Sequence, residues 1–98
     1  MVEIVQTEIF ADWIGSLKDA KAQAIIAARI DRARFGNLGD TAPVGKGVSE
    51  MRIHYGPGYR LYFVQRGTIM IVLLCGGDKS TQKADIRAAH KIAKQIED

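Results

Sequence analysis

Residues 50–79, EMRIHYGPGYRLYFVQRGTIMIVLLCGGDK, constrain the fold of this 98-residue chain more than any other stretch. Polar and apolar residues alternate from 50 to 55 and again from 59 to 64, and Gly56-Pro57-Gly58 separates the two runs. Alternation on both sides of a glycine-rich turn is typical of two antiparallel strands in a hairpin. The sequence therefore predicts a β-hairpin at the centre of the fold.

The length of the turn decides which side chains share a face of the sheet. With a loop of three residues, His54 lies opposite Arg60 and Arg52 lies opposite Tyr62, and directly opposed residues project from the same face. One residue more or fewer in the loop would break this register and scatter the four side chains. We therefore predict a polar quartet of Arg52, His54, Arg60 and Tyr62.

The first part of the chain predicts a strand and then a helical hairpin. Residues 2–6 are β-prone, and Thr7 before an acid is typical of a helix N-cap. Asp19 can cap a second helix that ends near Gly36. Its predicted buried residues are Ala22, Ile26, Ile30 and Ala33, and its predicted exposed residues are Lys21, Arg29 and Arg32. Residues 37–47 are rich in glycine and indicate a loop, with at most a brief strand near Val44.

The chain after the hairpin predicts one more strand and a last helix. Arg66-Gly67 is a candidate two-residue turn into residues 69–75, which are apolar on both faces and fit a central strand. Gly76-Gly77 then allows a turn, and Ser80 or Thr81 can cap the helix. Its predicted buried residues are Ile86, Ala89, Ala93 and Ile96. The expected fold class is α+β, with the order β-α-α-β-β-β-α and a small, mostly antiparallel sheet.

Length and composition fit one globular domain spanning residues 1–98, since 47% of the residues are hydrophobic and 26% are charged. The net charge of +3 favours anionic partners too weakly to establish nucleic-acid binding. The single cysteine, Cys75, excludes an internal disulfide and fits a reducing compartment. Because the chain has no export signal and no apolar run of roughly 18 residues, we expect a soluble cytoplasmic protein.

Few kinds of catalytic site fit this sequence. Two histidines 36 positions apart and one cysteine do not match zinc spacing, and no acidic cluster suits magnesium, so we expect neither a metal nor a cofactor. The polar quartet has the residue types that a metal-free ribonuclease needs, because arginine stabilises phosphate charge while histidine or tyrosine transfers protons. A solvated sheet surface can carry the same residue types without any chemistry.

Several segments resemble one protein superfamily. They are VGKGVSEMRIHYGPGYRLYF, then LLCGGDKSTQ and the DI pair at residues 85–86, with FADWI, LKD, RI and GNLGD upstream. Together they are similar to the RelE/ParE toxin superfamily, and most of all to its HigB-like branch of addiction-module killer proteins. The resemblance covers essentially the whole chain. It implies a helical hairpin and a C-terminal helix around a small antiparallel sheet, which is the order derived above.

The resemblance also implies an activity, namely metal-independent, ribosome-dependent cleavage of mRNA that inhibits translation. The two basic residues that such toxins carry on the strand before the hairpin correspond to Arg52 and His54, and the arginine of their GYR motif is Arg60. With Tyr62 these are the expected catalytic residues. The expected RNA-binding residues are Lys46, Lys79 and Lys83.

One departure from the resemblance leaves the proton-transfer group open. Several members carry a tyrosine early in the last helix, whereas this chain has no tyrosine after Tyr62. Either Asp85, His54 or Tyr62 then takes over, or the chemistry is weak. Two alternatives follow, a ParE-like inhibitor of DNA gyrase and an inactive homologue that only binds its antitoxin. The implied partners are a helix-turn-helix antitoxin, the ribosome with mRNA, and operator DNA through the antitoxin, with no membrane partner.

Overall fold

The computed structural model describes residues 1–97, in which a five-stranded sheet lies between two helices on one face and one helix on the other. The elements in chain order are β1 (Glu3–Gln6), α1 (Glu8–Ser16), α2 (Ala20–Ala33), β2 (Thr41–Gly45), β3 (Val48–Ile53), β4 (Tyr59–Arg66), β5 (Met70–Asp78), a 3-10 turn (Lys79–Thr81) and α3 (Gln82–Gln95). The α+β fold class is confirmed. The glycine-rich loop contributes β2, a longer strand than the brief one expected near Val44.

The sheet has the order β1-β5-β4-β3-β2. Strand β1 runs parallel to β5, and the other neighbouring strands pair antiparallel. Because β5 has a neighbour on each side and helices over both faces, it is apolar throughout its first six residues, as the sequence predicted.

Local capping starts the first two helices where the sequence placed them. The Thr7 hydroxyl accepts a hydrogen bond from the Phe10 amide at 3.0 Å, and the Asp19 carboxylate accepts bonds from the amides of Lys21 and Ala22. The buried residues of α2 are the four predicted, Ala22, Ile26, Ile30 and Ala33, and they pack with Phe10 on one face of the sheet. Ala89 and Ile92 of α3 pack on the opposite face, while Ile86, Ala93 and Ile96 are only partly buried there.

The prediction that Gly76-Gly77 turns the chain is wrong, because both glycines lie within β5. A Cβ atom at Gly76 would overlap the Trp13 ring of α1, and one at Gly77 would overlap the Asp85 carboxylate of α3. The glycines therefore let a helix approach the strand closely on each side. The preceding turn also differs, since Arg66 pairs with Met70 and leaves a loop of three residues where two were predicted.

The predicted hairpin register is shifted by two residues. Ile53 pairs with Tyr59 and Arg52 pairs with Arg60, so the loop contains the five residues 54–58. Two hydrogen bonds shape this loop, from the Tyr55 amide to the Ile53 carbonyl and from the Gly58 amide to the Tyr55 carbonyl. Because side chains alternate with a period of two, a shift of two keeps the predicted residues on one face. The pairs His54 with Arg60 and Arg52 with Tyr62 do not form.

No helix in the part of the chain that the structure describes is long and apolar enough to cross a membrane.

Candidate functional site

Arg52 and Arg60 are directly opposed residues on β3 and β4, and a buried carboxylate lies between them. Glu50 is two residues before Arg52 on the same face, and only 4% of it is exposed. Its Oε1 lies 3.7 Å from Nε of Arg52, and its Oε2 lies 3.7 Å from Nε of Arg60. Gln82, the first residue of α3, donates to Oε2 at 3.0 Å. The site therefore holds two cations around one anion, with a net positive charge.

A second carboxylate holds His54 at the rim of the site. Asp40 Oδ2 lies 2.7 Å from Nε2 of His54, whose side chain is 75% exposed, and Asp40 Oδ1 lies 3.7 Å from Nε of Arg52. The hydrogen bond with His54 lowers the pKa of Asp40 below its usual value, with a smaller effect from Arg52. Because an ionised carboxylate only accepts, Nε2 is the donor, and the neutral ring presents Nδ1 as its acceptor.

The loop that carries Asp40 is fixed by Arg29, which corrects the prediction that Arg29 is fully exposed. Its guanidinium donates to the backbone carbonyls of Arg52 at 2.8 Å and Leu38 at 3.1 Å. Burial is the main cause that lowers the pKa of Arg29. In addition, the Arg52 amide donates to the Asp40 carbonyl at 2.9 Å. Arg29 thus ties α2 to the loop and strand that hold the histidine.

Tyr62 lies on the predicted face of β4 but not on a surface, so the prediction that it lines an exposed patch is wrong. It is 0% exposed, and it packs with Val48, Leu74 and Ala89 beneath α3. No hydrogen-bond partner for its hydroxyl lies among residues 1–97. Burial, followed by the nearby Glu50 carboxylate, raises the pKa of Tyr62 far above the ordinary range. The phenol therefore lies in the core, beneath the surface that a bound molecule would contact.

The exposed part of the site is a shallow cleft of about 360 Å³ at the hairpin turn. His54, Arg60 and Lys79 line it together with the turn residues 55–58. Lys79 follows β5 directly in the 3-10 turn, where the Asp78 carboxylate accepts hydrogen bonds from the amide and hydroxyl of Ser80. The structure thus places Lys79 directly after the last strand, the position that the resemblance gave it, and beside the hairpin turn. The Arg60 side chain is 12% exposed and donates to the Gly58 carbonyl at 3.2 Å.

The other two predicted RNA-binding lysines lie in two depressions beside α3. Lys83 lines a depression of about 540 Å³ that also includes Lys79 and Arg87. Lys46 lies at the β2–β3 turn in a separate depression of about 400 Å³, which Arg87 also lines. His90, in the same depression, donates a hydrogen bond from Nε2 to the Val44 carbonyl at 2.9 Å. Arg87 therefore joins the two depressions into one basic surface along the helix.

Asp85, the predicted alternative for proton transfer, points away from this cleft. Its carboxylate accepts a hydrogen bond from Thr81 at 2.6 Å and borders an apolar groove between α1 and α3, with Trp13 on the other side. Burial, followed by Asp85, raises the pKa of Cys75 to about 12, so this thiol stays protonated at neutral pH. No group of three potential metal ligands occurs within residues 1–97.

Three contributors to the site were missed from the sequence, namely Asp40, Glu50 and Gln82. The signal for Glu50 was present, because it precedes Arg52 by two residues and so shares its face. Asp40 and Gln82 gave no local signal, since each reaches the site from 14 and 32 residues away along the chain. The charged and basic residues that line the cleft are His54, Arg60 and Lys79, and Arg52 lies opposite Arg60 on the neighbouring strand. These residues are supported by the three missed contributors and by Arg29.

Comparison with known proteins identifies the relatives of this chain. The family described as Phage derived protein Gp49-like (DUF891) matches residues 12–97. An uncharacterized protein of Haemophilus influenzae is 44% identical over 95 residues, which are 97% of this chain and 96% of that protein. The E. coli toxin RelE, solved as a double arginine-to-alanine mutant in the free state, has the same fold with a TM-score of 0.73, 9% identity and 98% of each chain covered. The chain therefore belongs to the Gp49-like family, a toxin-antitoxin toxin family within the RelE/ParE-type toxin superfamily.

Proposed function

We propose that this protein inhibits translation by cleaving mRNA on the ribosome, as a metal-independent endoribonuclease. The observation that carries the proposal is the pairing of Arg52 with Arg60 across β3 and β4, with His54 and Lys79 at the cleft beside them. A toxin of this kind needs cationic groups for a phosphate and one group that exchanges a proton, and the site supplies both.

The reaction can be assigned to these residues in steps that balance. Nδ1 of His54 accepts the proton of a ribose 2′-hydroxyl, and the 2′-oxygen bonds to the adjacent phosphorus. Arg52 and Arg60 stabilise the added negative charge. The bond from phosphorus to the 5′-oxygen then breaks, and that oxygen receives the proton that His54 accepted. The products are a 2′,3′-cyclic phosphate and a free 5′-hydroxyl, and no metal takes part in any step.

The open shape of the cleft supports a requirement for the ribosome. One hairpin turn and the 3-10 turn border the cleft, so the protein alone surrounds little of a nucleotide. Orientation of the reacting groups supplies much of the rate of such reactions, and a displacement of about 1 Å costs on the order of 10²-fold. We propose that the ribosomal A site holds the mRNA in line, while Lys79, Lys83 and Lys46 contact RNA phosphates.

A toxin family implies an antitoxin as partner. We propose that this antitoxin has a helix-turn-helix domain and that operator DNA is bound mainly through it. RNA and antitoxin would then bind the same basic surface from Lys46 to Lys79. The antitoxin would neutralise the toxin by competing with RNA for these positively charged residues.

The proposal is tested by mapping mRNA 5′ ends after purified protein is added to a reconstituted translation reaction, with a ribosome-free reaction alongside. We expect new ends within codons only when ribosomes are present. Arg60→Ala should reduce the cleavage rate by about 10²- to 10³-fold, the usual cost of removing one preorganised donor. Arg66→Ala is the matched control, because Arg66 is on the same strand but contacts the end of α3 through the Ile96 carbonyl. Equal cleavage by Arg60→Ala and wild type would refute the site assignment.

The second candidate is inhibition of DNA gyrase without cleavage. The burial of Tyr62 favours it, since it leaves the cleft with His54 and with Tyr55, whose hydroxyl already donates to Asp19. Intact mRNA in the translation reaction, together with a loss of supercoiling by purified gyrase, would support this candidate. Intact mRNA with normal supercoiling would leave an inactive homologue that binds its antitoxin.

A further inference from the structure

Glu50 is the only charged side chain that is buried among the residues the structure describes. Its carboxylate lies 3.7 Å from Nε of both Arg52 and Arg60 and receives a hydrogen bond from Gln82. Removal of a carboxylate from water is costly, and replacement of buried ionic groups by apolar ones of similar volume is often neutral or stabilising. Stability alone therefore does not explain a glutamate at this position.

The geometry of the contacts shows what the carboxylate does to the arginines. Each oxygen of Glu50 faces the Nε atom of a different guanidinium, and both Nε atoms are buried. A separation of 3.7 Å is an electrostatic contact and longer than a hydrogen bond. The Arg60 side chain extends from this contact to the hairpin turn, where Nη1 donates to the Gly58 carbonyl at 3.2 Å. Opposed strands fix the backbones of the two residues. Glu50 is the carboxylate that contacts both side chains, and Asp40 contacts Arg52 as well.

Helix α3 takes part through its first residue. Gln82 donates from Nε2 to both carboxylate oxygens of Glu50, at 3.0 and 3.4 Å. The amide thereby sets the plane of the carboxylate, and the N-terminal end of the helix favours its negative charge. The same helix covers Tyr62, the strand partner of Glu50, so water is excluded from that side.

We propose that Glu50, held by Gln82, is a positioning residue that sets the spacing and direction of Arg52 and Arg60 for one phosphate group. This inference rests on the proposed function where cleavage is measured. The NMR measurement of the arginine side chains described below does not depend on that function. Glu50 touches neither the RNA nor the reacting atoms. It acts through the arginines, and it offsets part of their positive charge together with Asp40, which contacts Arg52 alone, so that two guanidinium groups can stand side by side before a phosphate is bound.

The first test is Glu50→Gln, which keeps the shape and an acceptor for Gln82 but removes the charge. We expect the single-turnover cleavage rate on programmed ribosomes to fall by about 10²-fold, as for a misplaced reacting group. The affinity for ribosomes carrying a 2′-deoxy, uncleavable A-site codon should change less than threefold. The matched control is Glu3→Gln on β1, which is exposed and should cleave at the wild-type rate. Cleavage by Glu50→Gln within twofold of wild type would overturn the proposal.

A double substitution separates positioning from a general loss of structure. In an Arg52→Ala background, Glu50→Gln should reduce the remaining cleavage by much less than 10²-fold, since one of the two side chains it positions is gone. An equal loss in both backgrounds would mean that Glu50 acts on the whole fold, and it would overturn the proposal. If Glu50→Gln does not fold, Gln82→Ala takes its place, with an expected loss of about tenfold.

The decisive structural readout needs no cleavage. In nitrogen-15 NMR spectra of the free protein, the buried Nε–H groups of Arg52 and Arg60 should give signals that exchange slowly with water. Glu50→Gln should speed their exchange at least tenfold and leave the Nε–H signal of Arg66 unchanged. If wild type does not cleave mRNA, the proposed function fails while this arm still decides the inference. Unchanged Arg52 and Arg60 signals in Glu50→Gln would refute it.

Discussion

Replacement of Tyr62 by phenylalanine should stabilise the protein without affecting its activity. The ring is 0% exposed, and its hydroxyl has no hydrogen-bond partner within residues 1–97. An unsatisfied buried hydroxyl costs about 1–3 kcal/mol, and the ring that remains after Tyr62→Phe keeps its contacts. Loss of one oxygen leaves a small void, so we expect a net gain of about 1 kcal/mol. For a domain of this length that gain raises Tm by about 4–8 °C.

Thermal unfolding followed by circular dichroism measures the change, and the ribosomal cleavage assay is run on the same samples. Tyr55→Phe is the matched control, because the Tyr55 hydroxyl donates to the Asp19 carboxylate at 3.2 Å near the surface. That variant should be as stable as wild type or slightly less stable. A lower Tm for Tyr62→Phe would mean that its hydroxyl is hydrogen-bonded. A 10²-fold loss of cleavage with an unchanged Tm would mean that Tyr62 takes part in the chemistry.

Three further changes test other parts of the molecule. Gly76→Ala should lower the free energy of unfolding by about 1–3 kcal/mol in denaturant titrations, because its methyl group would overlap the Trp13 ring. Asp40→Asn should make the free energy of unfolding depend less on pH in the acid range. Because the folded-state pKa of Asp40 is lowered, its carboxylate stabilises the fold above about pH 4, and this stabilisation is lost as the pH falls. Lys83→Gln with Arg87→Gln should weaken ribosome binding. The slope of the logarithm of the binding constant against the logarithm of the salt concentration should become shallower by roughly 1–2.

Each of these changes has a control of the same residue type. Gly15→Ala introduces a methyl group into open space late in α1 and should not destabilise the fold. Asp12→Asn changes an exposed carboxylate, so its acid-side stability curve should follow that of wild type. Lys18→Gln with Arg34→Gln removes two exposed charges that lie outside α3, and it should leave the salt dependence of ribosome binding unchanged. The corresponding explanation is wrong if a control and its test variant behave alike.

Local signals account for most of the fold that was predicted from sequence. The N-caps at Thr7 and Asp19 and the buried line of α2 depend on residues within a few positions of one another, and all of them are found. Strand β5 was identified from its apolar run alone. Its C-terminal end was misplaced because glycine also marks close approach of a neighbouring element, and the neighbours, α1 and α3, are distant in sequence.

The candidate site was predicted less completely, for a related reason. Alternation along a strand places Arg52, Arg60 and Tyr62 on one face whether the loop has three or five residues, so that part of the prediction survived an error in register. His54 is a loop residue, and its contact with Asp40 holds it beside Arg52. Alternation does not indicate what covers the face. Helix α3 covers the end of it that contains Tyr62 and leaves the end with His54 exposed.

The position of α3 over one end of this sheet face also explains why a glutamate lies next to the basic residues. Where the helix covers the sheet, the face has to exclude water, and the tyrosine ring and the Glu50–Gln82 pair fill that space. Where the helix begins, the face opens and the arginines emerge from beneath it. A phosphate site needs cations that are held in place as well as accessible, and neither a fully exposed nor a fully covered strand face provides both. The boundary between the covered and open parts of one sheet face provides cations that are both held in place and accessible. Arg60 lies on that boundary, because it is mostly buried but borders the cleft.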